Sequence, residues 1–180
     1  MRAHKGNSQL LVLILAVGFF IGIIYENLIS KNGAITVELF RKSNLERYLQ
    51  TKIIAEEYLW YVVKSRVLML GILCILSCVK WKKILVVLCV GMLGVISGIL
   101  AVSAVLQLGM KGILLCMAGI LPQGIFYGMV YGMLLVYWFR HPERQWNRAK
   151  TVFVVLMFLV GMLLEAYVNP VIVKGIIRML

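Results

Sequence analysis

The chain has 180 residues, 62% hydrophobic and only 14% charged, with a formal net charge of +12 and a mean hydropathy of +0.95. A soluble domain is typically about 45–50% apolar and about 25% charged, so most soluble-enzyme readings are excluded and a single integral membrane domain over 1–180 is expected. The 19 basic residues stand against seven acidic ones, all glutamate; they fall mostly between apolar stretches, which suits lipid headgroups better than nucleic acid.

A hydrocarbon core ~30 Å thick needs about 20 mostly apolar residues in a helix. By that measure the sequence predicts an all-α polytopic membrane protein with about five transmembrane helices, near 10–29, 58–79, 84–108, 112–139 and 151–168. The first follows Met1-Arg-Ala-His-Lys5 and is too long for a signal peptide, with Tyr25-Glu26-Asn27 where small residues would mark cleavage. It is read as a retained helix. Gly18 and Gly22 share one face and permit close approach of another backbone; Glu26 is expected to reach interfacial water near the end of the span.

Residues 30–57 differ in character. Leu45, Leu49 and Ile53 recur every four residues beside Tyr48, while Arg41, Lys42, Glu46, Arg47 and Lys52 occupy other faces. The pattern fits an extracytoplasmic amphipathic helix on a membrane or partner surface, entered through a turn at Asn32-Gly33; a partly ordered connector is the alternative. In the second span Lys64 and Arg66 interrupt the apolar run and are expected to snorkel outward, with Trp60 and Tyr61 at the interface.

The third span carries Gly91, Gly94, Ser97, Gly98, Ala101 and Ser103, a density of small residues expected where helices pack on one another. The fourth has Gly124, Gly128 and Gly132 at intervals of four, and is interrupted at Pro122, where the loss of one backbone hydrogen bond is expected to kink or break it. Glu165 lies toward the expected end of the fifth span. Two readings stay open for it: an outer-interface carboxylate paired with Lys111, Lys174 or an arginine, or a polar joint against Gln123 and the backbone at Pro122. A proton or ion relay has little to recommend it, because a single carboxylate without a line of polar partners makes a poor pathway.

The amino-terminal tail, Lys80–Lys83 and Arg140–Lys150 hold nine basic residues and the opposite side ten, but the nine are far denser. Density places the amino terminus in the cytoplasm and the carboxyl tail outside. Cys74, Cys78, Cys89 and Cys116 lie in apolar runs without CxxC or Cys/His spacing, so neither a disulfide framework nor a metal site is expected. His4 and His141 sit in basic flanks. No P-loop or HExxH pattern occurs, and neither an enzyme nor a cofactor is expected.

Leu108-Gly109-Met110-Lys111-Gly112 followed by Gly119-Ile120-Leu121-Pro122-Gln123 resembles the third-to-fourth helix connection of the stage II sporulation protein M family. Leu163-Leu164-Glu165-Ala166-Tyr167-Val168-Asn169-Pro170, with Lys174 beyond, looks like that family's closing motif, and Phe19–Ile24 is similar to its first helix. The similarity runs in the same order over most of the chain. It implies a non-enzymatic membrane anchor in the sporulation septum, organising a lytic transglycosylase and an amidase that thin peptidoglycan during engulfment. The segment 30–66 departs from the family pattern, and the wider family includes proteins outside sporulation.

The residues expected to carry helix packing or docking are Gly94, Gly98, Pro122, Gln123, Gly124, Gly128, Glu165, Asn169 and Pro170. Expected partners are the lipid bilayer, the two wall-cutting enzymes and, as an alternative, further copies forming a homo-oligomer. The rival to a scaffold is a transporter-like subunit, motivated by the interrupted fourth helix.

Overall fold

Apolar runs of span length have one way to satisfy their backbone in lipid without a barrel, which is to close their hydrogen bonds within a helix. The computed structural model describes residues 3–31, 37–52, 54–76, 81–140 and 147–179, and they form α1 (Ala3–Lys31), α2 (Lys42–Gln50), α3 (Ala55–Leu76), α4 (Lys82–Leu108), α5 (Met110–Arg140), α6 (Arg148–Leu163) and α7 (Asn169–Ile177). A short 3-10 turn at Glu38–Phe40 precedes α2, and a π-helical segment, Leu164–Val168, joins α6 to α7. No strand occurs among the described residues. Five helical stretches are long and apolar enough to cross a membrane: Gln9–Lys31, Ala55–Ile75, Lys83–Leu108, Met110–Phe139 and Arg148–Ile177. The chain is an all-α polytopic membrane protein. The expected turn at Asn32-Gly33, Ile53, Cys78, Lys80 and His141–Arg144 lie outside the described residues.

Contacts group the chain into two compact units, Met1–Tyr48 with Ile84–Cys116, and Leu49–Lys83 with Met117–Leu180. In the first, α1 and α4 meet along a seam of glycine. A Cβ on Gly18 would stand 2.5 Å from the Gly91 carbonyl oxygen and 3.3 Å from the Gly94 Cα. One on Gly94 would run into the Leu15 carbonyl and come within 3.1 Å of the Gly18 Cα; one on Gly98 would meet the Phe19 carbonyl and lie 3.2 Å from the Gly22 Cα. Two glycine pairs, each spaced by four, thus bring backbone against backbone. Beyond the seam Glu26 is fully buried and accepts a 2.6 Å hydrogen bond from the Ser103 hydroxyl. This corrects the expectation of an interfacial carboxylate: the close approach of α1 and α4 encloses the next turn as well.

α4 turns into α5 through the single residue Gly109, whose φ of 63° is left-handed and disfavours a side chain. Its N–H donates to the Val105 carbonyl at 2.8 Å. Gly112 then sits so close to the Ala104 carbonyl that a Cβ would not fit, and the Cys116 thiol points at the Leu100 carbonyl at 3.9 Å. The Gln107 side-chain amide donates to the carbonyl of Val37, tying the segment before α2 to α4. α2 is amphipathic as its sequence indicates, with Leu45, Tyr48 and Leu49 partly covered and Arg41, Lys42, Glu46 and Arg47 exposed.

In the second unit two boundaries differ from expectation. α3 begins at Ala55, so Glu56 and Glu57 occupy its first turn, where the helix dipole favours carboxylates. The fifth span does not stop near Val168 but runs from Arg148 to Ile177 through the π-helical turn. Of the kink or break expected at Pro122, a break is not seen, because α5 continues through it. Pro122 removes the helical donor to the Ala118 carbonyl; the Gln123 amide nitrogen donates one residue on, to the Gly119 carbonyl.

Gly128 and Gly132 have nothing within 4 Å of where a Cβ would stand, and Gly124 meets only the Ile120 side chain of its own helix. Their spacing matches that of the α1–α4 seam, but among the described residues no other helix stands against them. Gly94→Leu is therefore expected to destabilise the protein by about 3 kcal/mol, the upper end of overpacking costs, since backbone must yield. Gly128→Leu is expected to change stability by less than about 0.5 kcal/mol. Thermal unfolding in detergent compares the two; equal losses would contradict the assignment of the seam.

Candidate functional site: a polar node inside the apolar spans

The π-helical turn has a visible cause. Pro170 lacks an N–H, and in a regular helix its ring collides with the carbonyl four residues back, that of Ala166. Widening the preceding turn relieves both: the Asn169 N–H donates to the carbonyl of Leu164, five residues earlier. π-bulges of this kind often coincide with functional positions. Here the bulge carries Glu165 and Ala166, both buried.

Glu165 is held on two sides. Arg66 of α3 grips it with a forked pair of bonds, Nε to Oε2 at 2.9 Å and a terminal nitrogen to Oε1. The Tyr127 hydroxyl of α5 donates to Oε2 at 2.7 Å, and the Arg66 guanidinium also lies 5.0 Å from the centre of the Tyr127 ring. Tyr127 reaches this position because Gly161 leaves room, a Cβ there lying 2.9 Å from the ring edge. Phe158 packs its ring 5.9 Å from that of Tyr127, and Tyr131 does so at 6.1 Å. Lys174 of α7 adds a tie at one end of the unit, donating to the Thr51 carbonyl at 2.6 Å.

Arg66, Tyr127 and Glu165 each fall near the middle of their apolar stretches, Ala55–Ile75, Met110–Phe139 and Arg148–Ile177. Translocon scales put a lone charge at that depth about 2.5–3.5 kcal/mol uphill, and a two-bond arginine–carboxylate pair is the geometry best able to offset it. Of the two readings of Glu165, pairing with an arginine is the one observed, but in mid-span rather than at the outer interface. The Gln123 side-chain amide is directed to the Gly119 carbonyl instead. Arg66, expected to snorkel outward, turns inward instead, since Glu165 and Tyr127 give its donors a place within the protein.

The other residues singled out from the sequence divide between two places. Gly94 and Gly98 lie in the α1–α4 seam. Pro122, Gln123 and Gly124 lie on α5, with Gln123 buried and its Oε1 unpartnered among the described residues. Asn169 and Pro170 close the π-helical turn, Pro170 buried. Sequence reasoning missed Tyr127 and Gly161. The available signal was a tyrosine within a glycine-rich span, which does not say which carboxylate it faces. No cluster of three metal-ligating side chains exists among the described residues. The node pairs a permanent cation with a carboxylate and a phenol, and its bonds join α3, α5 and the π-helical turn.

No family model, curated protein or solved structure matches the chain.

Removing one partner of a buried ion pair costs about 3–5 kcal/mol, whereas replacing both with neutral groups of similar volume is often tolerated. Glu165→Ala is expected to fall in that range. Arg66→Met combined with Glu165→Gln, which keeps an acceptor for Tyr127, is expected to recover most of the loss. A thermal unfolding series in detergent tests this, and a double variant no more stable than the single one would overturn the assignment of the node as an internally balanced lock.

Proposed function

We propose that this chain is a non-enzymatic membrane scaffold that anchors a septal peptidoglycan-degrading complex during engulfment in endospore formation. The observation that carries the reading is a coincidence of position. The Leu-Glu-Ala-Tyr-Val stretch by which the sequence resembles the stage II sporulation protein M family is the π-helical turn of the polar node. The most distinctive piece of that resemblance therefore falls on the residues that fix helix against helix, as suits a protein whose task is holding shape. In this reading the amino terminus is cytoplasmic, the carboxyl terminus extracytoplasmic and the chain resides in the sporulation septum, where it binds a lytic transglycosylase and an amidase. The transporter reading loses its motive, because it was drawn from a broken fourth helix and α5 is continuous.

Deletion of the gene in the native spore-former, followed by imaging of the mother-cell membrane, tests the proposal. Membrane migration is expected to stall before it surrounds the forespore, and Glu165→Ala is expected to lower recovery of the two hydrolases in a detergent pulldown. Normal completion of engulfment without the protein would overturn the sporulation role.

A further inference from the structure

α3 is the least enclosed of the five spans, with 6% of its window buried against 17–33% in the others. Its covered side carries Val62, Arg66, Leu70 and Leu73; its open side carries Trp60, Tyr61, Lys64, Leu68 and Ile75. Lys64, Leu68, Gly71 and Ile75 follow one another at intervals of four, three and four, and so form one stripe along the helix. Among the described residues nothing stands within 4 Å of where a Cβ on Gly71 would be, which leaves a notch where another backbone can come close.

Lys64 makes this face unusual. It lies about 14 Å along the helix axis from Ala55 and about 17 Å from Ile75, the limits of the span, at 1.5 Å per residue. It is exposed and forms no ion pair or hydrogen bond with the described residues. An ammonium at that depth calls for an acceptor, and among the described residues no carboxylate supplies one. Of the chain's seven acidic residues, the two well inside spans are committed elsewhere, Glu26 to Ser103 and Glu165 to Arg66 and Tyr127. A second copy of the chain would bring the same two occupied groups.

The geometry points to the Lys64–Ile75 face of α3 as a docking site for a transmembrane helix of a different protein, one that carries a carboxylate near mid-membrane. The carboxylate pairs with Lys64, and the partner backbone settles against Gly71 one to two turns further along. This deepens the scaffold reading and rests on it, giving the chemistry by which a single-span partner is selected within the bilayer.

The test uses the full chain in phosphatidylcholine vesicles with synthetic polyleucine helices bearing Glu, Gln or Lys at the central position, association being read by energy transfer between labels. The Glu peptide is expected to bind the wild-type protein best. Interhelical polar contacts are worth about 1–2 kcal/mol, so Lys64→Met is expected to weaken binding about tenfold, and Gly71→Leu by a similar factor. Lys64→Glu is expected to transfer the preference to the Lys peptide. Both neutral substitutions sit in open space and raise apolar character, so the fold is retained. Equal binding of Glu and Gln peptides, or a Glu peptide indifferent to Lys64→Met, would overturn the proposal and leave Lys64 facing lipid phosphate. The vesicles contain no sporulation component, so that outcome would leave the scaffold reading standing on its own deletion test.

Discussion

Hydrocarbon offers a charged side chain nothing to bond to, and it makes the same demand of every backbone amide. The segment around Leu164–Val168 meets both demands together. A proline that cannot donate is accommodated by a wider turn, and the wider turn carries Glu165 toward Arg66 and Tyr127. The backbone irregularity and the ion pair are thus one feature. Without Pro170 the turn has no reason to widen, and without Arg66 the carboxylate has no reason to be inside. α3, α5 and the last span meet at this joint, since Arg66 and Tyr127 both bond to Glu165 and α3 packs against the π-helical turn.

The first unit solves the packing problem differently. Apolar side chains gain little by leaving lipid for one another, so association there rests on close fit. Gly18, Gly22, Gly94 and Gly98 remove the side chains that would hold the α1 and α4 backbones apart, and the resulting contact is close enough to enclose Glu26 with Ser103. One unit is joined mainly by small residues and the other mainly by a forked ion pair. The two devices have different vulnerabilities: the glycine seam is sensitive to volume, the node to charge balance.

Much of the architecture was legible in the sequence, because the signal for a membrane helix is length multiplied by apolarity and needs no knowledge of partners. The five spans and the α1–α4 glycines follow from it. Gly128 looked equivalent to Gly94, yet spacing identifies a face without saying what lies opposite, and here nothing among the described residues does. Pro122 reads as a kink or a break because its ring costs one backbone bond, yet α5 runs on to Arg140 through that single loss. Glu165 was recognisable as a charge in an apolar context. Its partner was not, since Arg66 is 99 positions away and a local reading sends any basic residue outward. The depth of Glu165 was misjudged for a related reason: an Asn-Pro pair ordinarily ends a helix, whereas a π-helical turn carries the span nine residues further, to Ile177.

The disposition of the polar groups bears on what such a molecule is suited to do. A carrier needs polar groups turned toward a path, alternately accessible from each side. Here Arg66, Tyr127 and Glu165 close on one another, and Glu26 closes on Ser103. Those contacts favour a stiff framework, which supports the scaffold reading. A framework that recruits other membrane proteins still has to tell them from lipid, and an apolar surface cannot do so, because a leucine-rich helix and an acyl chain look alike to it. Selection inside a bilayer requires a charge awaiting its opposite or a notch that admits a backbone. α3 presents both on one stripe, Lys64 and Gly71, beside an opposite face already committed through Arg66. α3 thus joins the internal lock on one face and carries on the other the charge and the notch proposed to select a partner.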